Sequence, residues 1–350
     1  VVNLIRHSTP LAYRRFVDHC RNQPAEASIA EARWLAPQLA ADPELSGFVP
    51  GVILRAGGLL AGQESFVEAR QFLREGLEML PGSASERELA GGAEATITLL
   101  GVLLVTGDLT EAWHHAGWLT EPHNTVESRL AGTRAQAAIR AAGGDSEIAF
   151  HLVNTAAGLA LRCRSRLWSA VVETDRAMVL AGAGRVGEAV HLVDDVLDKL
   201  SVRVHGRHGV VATSQAAAAA SAVAIAAANG GDVATARRLA EAALAASVAS
   251  GRSLARGEAD LAVAAAARAG GHLRGAEQSA FDARQRLSDL GAVPLAAAAL
   301  RERAAIAWYG GSTEAAVDLA TQAVRELEPT GYRVELAASQ RFLAYLAPRA

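Results

Sequence analysis

Gly182-Ala183-Gly184-Arg185-Val186-Gly187 has the GxGxxG spacing of a turn that lays a dinucleotide pyrophosphate on a helix N-terminus. That chemistry needs a strand before the turn and an acidic residue about 20 positions after it. Asp175 to Leu180 has some strand character, but the later stretch is Val202-Arg203-Val204 and carries no carboxylate. An inter-helix turn is the favoured reading. Histidines gather at Trp113-His114-His115-Ala116-Gly117-Trp118 and at His123. Adjacent helical residues diverge by about 100°, so His114 and His115 do not face one metal. His114 and Trp118 share a helix face and admit a small ligand site; surface or inter-repeat packing is the plainer role. His205 and His208 flank Gly206-Arg207 in the longest segment between repeats, read as a solvated loop.

Arg162-Cys163-Arg164-Ser165-Arg166, with Trp168 beyond, is a basic stretch that opens a helix. Cations there oppose the helix dipole. An anionic ligand or a carboxylate such as Glu173 would compensate them; otherwise they form a solvated patch. Flanking arginines would lower the Cys163 thiol, but no general base is pinned beside it. A phosphate-binding P-loop needs a lysine, and Lys199, the chain's single lysine, has no glycine loop before it. HExxH, CxxC and GxSxG are absent.

The elements that would position these residues repeat. Gly230-Gly231, Gly270-Gly271 and Gly310-Gly311 are spaced 40 and 40 apart. An alanine stands five residues after the second glycine of each pair. The offset extends to eight anchors: Ala32, Ala69, Ala112, Ala149, Ala189, Ala236, Ala276 and Ala316. Positions 4 and 7 after each anchor are small or apolar throughout, which is one face of a helix. Position 12 before it is small in seven of eight cases, so a preceding helix can approach closely. Each unit therefore reads as two helices around a glycine turn. The glycine caps the first helix in left-handed conformation, and Asp108, Asp145, Asp232 or Ser312 caps the second. The hairpins fall at about 10–40, 46–80, 84–119, 124–160, 165–202, 210–249, 252–289 and 292–328. A last helix at about 332–347 closes the stack, with Arg333, Glu335 and Gln340 as its polar exterior.

The small residue 12 before the anchor and the apolar positions after it resemble the tetratricopeptide repeat, as in Ala177/Ala189/Val193/Val196 and Ala264/Ala276/Ala280/Ala283. The likeness covers nearly the whole chain. The period is longer than the usual 34, and the motif's aromatic 16 before the anchor is present only as Phe16. The stretch from Phe281 to Ala292, with Gly310-Gly311-Ser312-Thr313-Glu314-Ala315-Ala316, also resembles the sensor region of large ATP-binding LuxR-type regulators, the maltose-activator-like family. That resemblance implies a bacterial regulator. The family's nucleotide-binding domain and helix-turn-helix have no counterpart in this sequence.

Composition agrees with helix packed on helix. The 350 residues are 51% hydrophobic and 5% aromatic, and 79 are alanine, the best helix former. A net charge of −3 argues against direct nucleic-acid binding. Two cysteines far apart, Cys20 and Cys163, suggest a reducing compartment and a cytoplasmic protein. No run reaches about 18 uninterrupted apolar residues, so no membrane span is expected. The chain starts at Val1, which suggests a piece of a longer protein.

The expected fold is all-α: one domain over 1–350, a right-handed superhelical solenoid of about eight hairpins and a capping helix. Such arrays bind on the concave face, which the first helix of each hairpin lines. That face reads as small and apolar, with sparse polar groups. The candidate ligand-binding residues are Glu94, Arg134, Arg166, Trp168, Thr174, Met178, Ser221, Glu258 and Arg301. Neither catalytic residue, cofactor nor metal is expected. The expected function is a sensor or scaffold that binds a peptide, a partner protein or a small effector. The alternatives are an enzyme of small-molecule metabolism with an apolar reaction channel, and an oligomerisation scaffold. Close packing by small residues alone would also produce this face.

Overall fold

The computed structural model describes residues 11–80, 91–201 and 207–346. Among these residues there are seventeen α-helices and no strand. They are α1 (Leu11–Asn22), α2 (Ala25–Ala40), α3 (Val49–Gly62), α4 (Phe66–Glu78), α5 (Gly92–Thr106), α6 (Leu109–Leu119), α7 (Val126–Gly143), α8 (Ser146–Arg162) and α9 (Arg166–Gly182). There follow α10 (Val186–Ser201), α11 (Arg207–Asn229), α12 (Val233–Ser250), α13 (Ser253–Ala269), α14 (Leu273–Asp289), α15 (Val293–Tyr309), α16 (Thr313–Leu327) and α17 (Arg333–Leu346). The chain divides into two compact units, Val1–Leu103 and Leu104–Ala350.

The repeat frame is the packing frame. All eight anchor alanines are buried, seven of them completely. The positions 4 and 7 after them are buried too, from Leu73 and Gly76 to Ala320 and Ala323, with Ala36 alone half-buried. Small side chains let the two helices of a hairpin come close. Gly57, 12 before its anchor, shows how close: an added Cβ would stand 2.7 Å from Leu73 Cγ.

The turns follow their glycines. Gly107, Gly144, Gly184, Gly231, Gly271 and Gly311 all have positive φ, a region that L side chains enter only at a cost. In the hairpin of α3 and α4 the same position is Glu64, at φ 63°. Caps are more varied than expected. Asp108 and Asp232 accept from the backbone N–H of Glu111 and Thr235 at 3.2 and 3.1 Å. Asp145 and Ser312 make no capping bond; the Asp145 carboxylate takes Arg140 instead, at 3.0 Å. The reason is that a guanidinium five residues back offers a charged donor.

Gly209–Asn229 is long and apolar enough to cross a membrane by length and mean hydropathy (1.6), although no uninterrupted apolar run predicts it. Half of it is buried inside the fold. Its alanines at 219, 220, 224, 227 and 228 form a core with Leu180, Val193 and Leu239 of its neighbours. Helix α11 begins at Arg207, so position 208 is helical and not loop. His205 lies outside the described residues.

Candidate functional site

The first helices of successive hairpins in the second unit, α7, α9, α11, α13 and α15, pack side by side and are followed by α17. Eight of the nine expected binding residues lie on these helices. Glu94 belongs to the first unit and stands exposed in the first turn of α5.

Two groups form. On α7 and α9, Arg134 donates twice to Asp175, Nε to Oδ2 at 2.5 Å and Nη2 to Oδ1 at 3.0 Å. Its guanidinium also lies 5.8 Å from the centre of the Trp168 ring. Trp168, Asp175 and Met178 stand at 0, 7 and 10 along α9, close to one helical face. Met178 packs on the alanine core. Arg166, at the first turn of α9, is exposed. Thr174 and Ser221 are buried, and both hydroxyls bond back into their own helices, to Val171 O at 2.6 Å and Ala217 O at 2.8 Å.

The second group surrounds Tyr332. Arg301 of α15 donates to the Glu335 carboxylate of α17. Burial pushes the Tyr332 phenol up, and the carboxylates of Glu335 and Glu258 add to that effect. Arg301 thus pairs with Glu335, expected only as polar exterior, while Glu258 bears on Tyr332, which the sequence pattern did not single out.

The missed residues share one signal. Arg134–Asp175, Arg268–Glu302, Arg301–Glu335, Arg284–Glu326 and Arg238–Asp194 are 34 to 44 residues apart, about one repeat. Each joins equivalent helices of neighbouring repeats. Arg268–Glu302 is the most enclosed: both side chains are only 10% exposed, at 2.5 Å. Asn229 Oδ1 accepts a further bond from the same guanidinium at 2.9 Å. A search for arginine and carboxylate one period apart would have found the ladder.

The other chemical candidates resolve simply. Gly184 is a turn glycine at φ 76°, and Asp175 to Leu180 lies within α9, so no strand precedes the GxGxxG segment. His115 Nε2 lies 3.7 Å from Glu111, and His123 Nδ1 lies 3.3 Å from Glu121. Trp113 takes the Arg140 guanidinium on its face at 4.6 Å. Among the described residues no three acidic, histidine or cysteine side chains gather in a metal-holding group. The Cys163 thiol is pushed up, not lowered as its arginine neighbours suggest. Partial burial dominates, and Glu127 adds to it against Arg162. Glu173 does not compensate the basic stretch either; it accepts from Lys199 at 3.0 Å. Arg162, Arg164 and Arg166 are exposed.

No family model and no curated protein sequence matches this chain. Solved structures do. A Rap protein complexed with competence and sporulation factor superposes with TM-score 0.57 at 12% identity, over 97% of each chain. A signal-transduction ATPase with a tetratricopeptide repeat sensor, from Pyrococcus horikoshii, superposes with TM-score 0.50 at 13% identity. That match covers 93% of this chain and 50% of the other. The fold is a tetratricopeptide-like α-solenoid. In its second unit arginines and carboxylates of neighbouring repeats hold one another, while buried hydroxyls such as Thr174 and Ser221 bond back to their own helices.

Proposed function

We propose that the chain is a regulatory binding module that takes a peptide or a segment of a partner protein on the first-helix face of its second unit. The observation that carries the reading is the group of Arg134, Trp168 and Asp175. A tryptophan and a bidentate arginine on neighbouring helices are the side chains that dominate recognition surfaces. The Arg134–Asp175 ion pair can exchange one partner for a charged group of a ligand. Met178 supplies an adaptable apolar neighbour, and Arg166 an exposed cation at the edge. Glu258 and Arg301 form a second polar anchor on the same face.

The likeness to a Rap protein seen with a bound factor supports this reading. The repeat sensor of the signal-transduction ATPase supports placing such a module in a bacterial regulator. The resemblance to LuxR-type regulators makes transcriptional control the context we favour. Two free cysteines agree with a cytoplasmic setting.

The test is native mass spectrometry of the chain purified from its own cells, beside Arg134→Ala and Trp168→Ala. A retained peptide, lost in both variants, is the expected result. A retained species that survives both substitutions would remove the site. A retained non-peptide molecule would remove the peptide assignment.

A further inference from the structure

The second unit closes on itself. Its opening residues, Leu104 to Leu109, lie against residues 330–332, more than 220 positions later. Tyr332 Oη donates to Leu104 O at 2.7 Å across a separation of 228 residues. Gly331 N–H reaches Gly107 O at 3.4 Å. A Cβ on Gly331 would stand 2.7 Å from Leu109 Cβ, so only glycine allows this approach. One on Gly107 would meet Thr330 Cγ2 at 3.0 Å and Pro294 Cγ at 3.2 Å. Val105 packs on the apolar cluster of Leu261, Ala296 and Ala299, which Ile225 and Leu295 border.

We propose that this seam is a latch: the second unit opens there with its hairpins intact, and opening uncovers the apolar cluster beneath Val105.

Three features favour opening at this place. Successive hairpins pack along paired helices, whereas the seam is made by helix ends and turns, with the start of α17 also resting on α7 beside Gly144. Its one short bond is made to a carbonyl in the last turn of α5, where a helix leaves its carbonyls without internal partners. Water takes over that acceptor when the seam parts. The third is the company of Tyr332. Glu335 of α17, bound to Arg301 of α15, and Glu258 of α13 all bear on it. A ligand that draws Arg301 or Glu258 away alters the surroundings of the hydroxyl that holds the seam. The latch does not require the binding reading above, since opening is measurable without ligand.

The test is hydrogen exchange by mass spectrometry on the full chain and on Tyr332→Phe, which removes only the hydroxyl. Losing one hydrogen bond of ordinary worth should speed exchange in segments 104–112 and 330–336 about fivefold. Exchange in α11 and α12 should stay unchanged. Equal acceleration throughout the second unit, or none at the seam, overturns the latch. A second variant crowds the seam: Gly331→Ala puts a Cβ 2.7 Å from Leu109 Cβ and should speed exchange in the same two segments at least as much as Tyr332→Phe. Seam exchange left unchanged by Gly331→Ala overturns the latch equally. Circular dichroism on each variant confirms that the helices are retained.

Discussion

The first unit and the second fill the same frame with different materials. Around α1 to α4 the core is Phe16, Leu35, Leu39, Val52, Ile53 and Leu73. Around α11 to α13 the equivalent positions hold Ala219, Ala220, Ala240, Ala243 and Ala259, with Leu239 and Asp260 as exceptions. The exceptions to the burial pattern also sit at the beginning: Cys20 and Ala36 are half-buried, while their equivalents Ala224, Ala264, Ala240 and Ala280 are closed off from water. Bulky side chains fill a wide gap by interlocking. Alanine fills a narrow one by letting backbones approach. A core of the first kind tolerates a change in helix spacing; one of the second kind does not.

Substitutions at one frame position sharpen the contrast. Leu73 and Ala240 both stand four after their anchors. Leu73→Ala should cost about 4 kcal/mol through the cavity it leaves. Ala240→Leu should cost about 3 kcal/mol by overpacking a gap with no room. Urea denaturation read at 222 nm measures both. A mild effect of Ala240→Leu would show that the alanine helices spread as readily as the others, and would dissolve the contrast.

The ion pairs extend it. Arg33–Glu68 in the first unit has its side chains 55% and 40% exposed, against 10% each for Arg268–Glu302. Arg268→Ala should cost about 3 kcal/mol, because it strands the Glu302 carboxylate in a dry place. Arg33→Ala should cost less than about 1 kcal/mol. The double change Arg268→Met with Glu302→Leu should recover most of the loss, since neither charge is then left unpaired. The same denaturation series reads all three, and equal losses at Arg268 and Arg33 would contradict the difference in burial.

The smallest effect concerns a turn. Arg164 is an exposed residue at φ 52°, in a chain whose other such positions are nearly all glycine. Arg164→Gly should gain about 0.5 kcal/mol, the relief of left-handed strain less the added freedom of the unfolded glycine. A rise of a degree or two in the thermal midpoint would show it.

How much of this was legible depended on distance along the chain. Anchor alanines and turn glycines are local, and a 40-residue period makes each a check on the next; the helices follow. The polar ladder was half-visible. Arg134, Arg301 and Glu258 stood out as polar groups on an apolar face, but their partners lie one repeat away, and pairing depends on how far each hairpin rotates against the last. Asp175 was therefore read only within a stretch of strand character, and Glu335 only as polar exterior of the last helix, where it instead pairs with Arg301. The seam was invisible, because Tyr332 meets Leu104 only after the small rotations of every intervening repeat have accumulated. The Cys163 thiol misled for a related reason: neighbours in sequence suggested charge, while depth in the fold set the direction.

The alanine core around α11 has a mechanical consequence. Alanine has no side-chain torsion to reset and loses no rotamer entropy on burial. When α11 glides against α9 or α13, no interlocked knob must climb out of its hole. Resistance to shear then comes from the terminal turns and the arginine pairs, which act as rivets along a smooth bearing. A pull along the stack would be taken up as many small slips spread over several interfaces, and the second unit would stretch as a soft spring before any hairpin came apart.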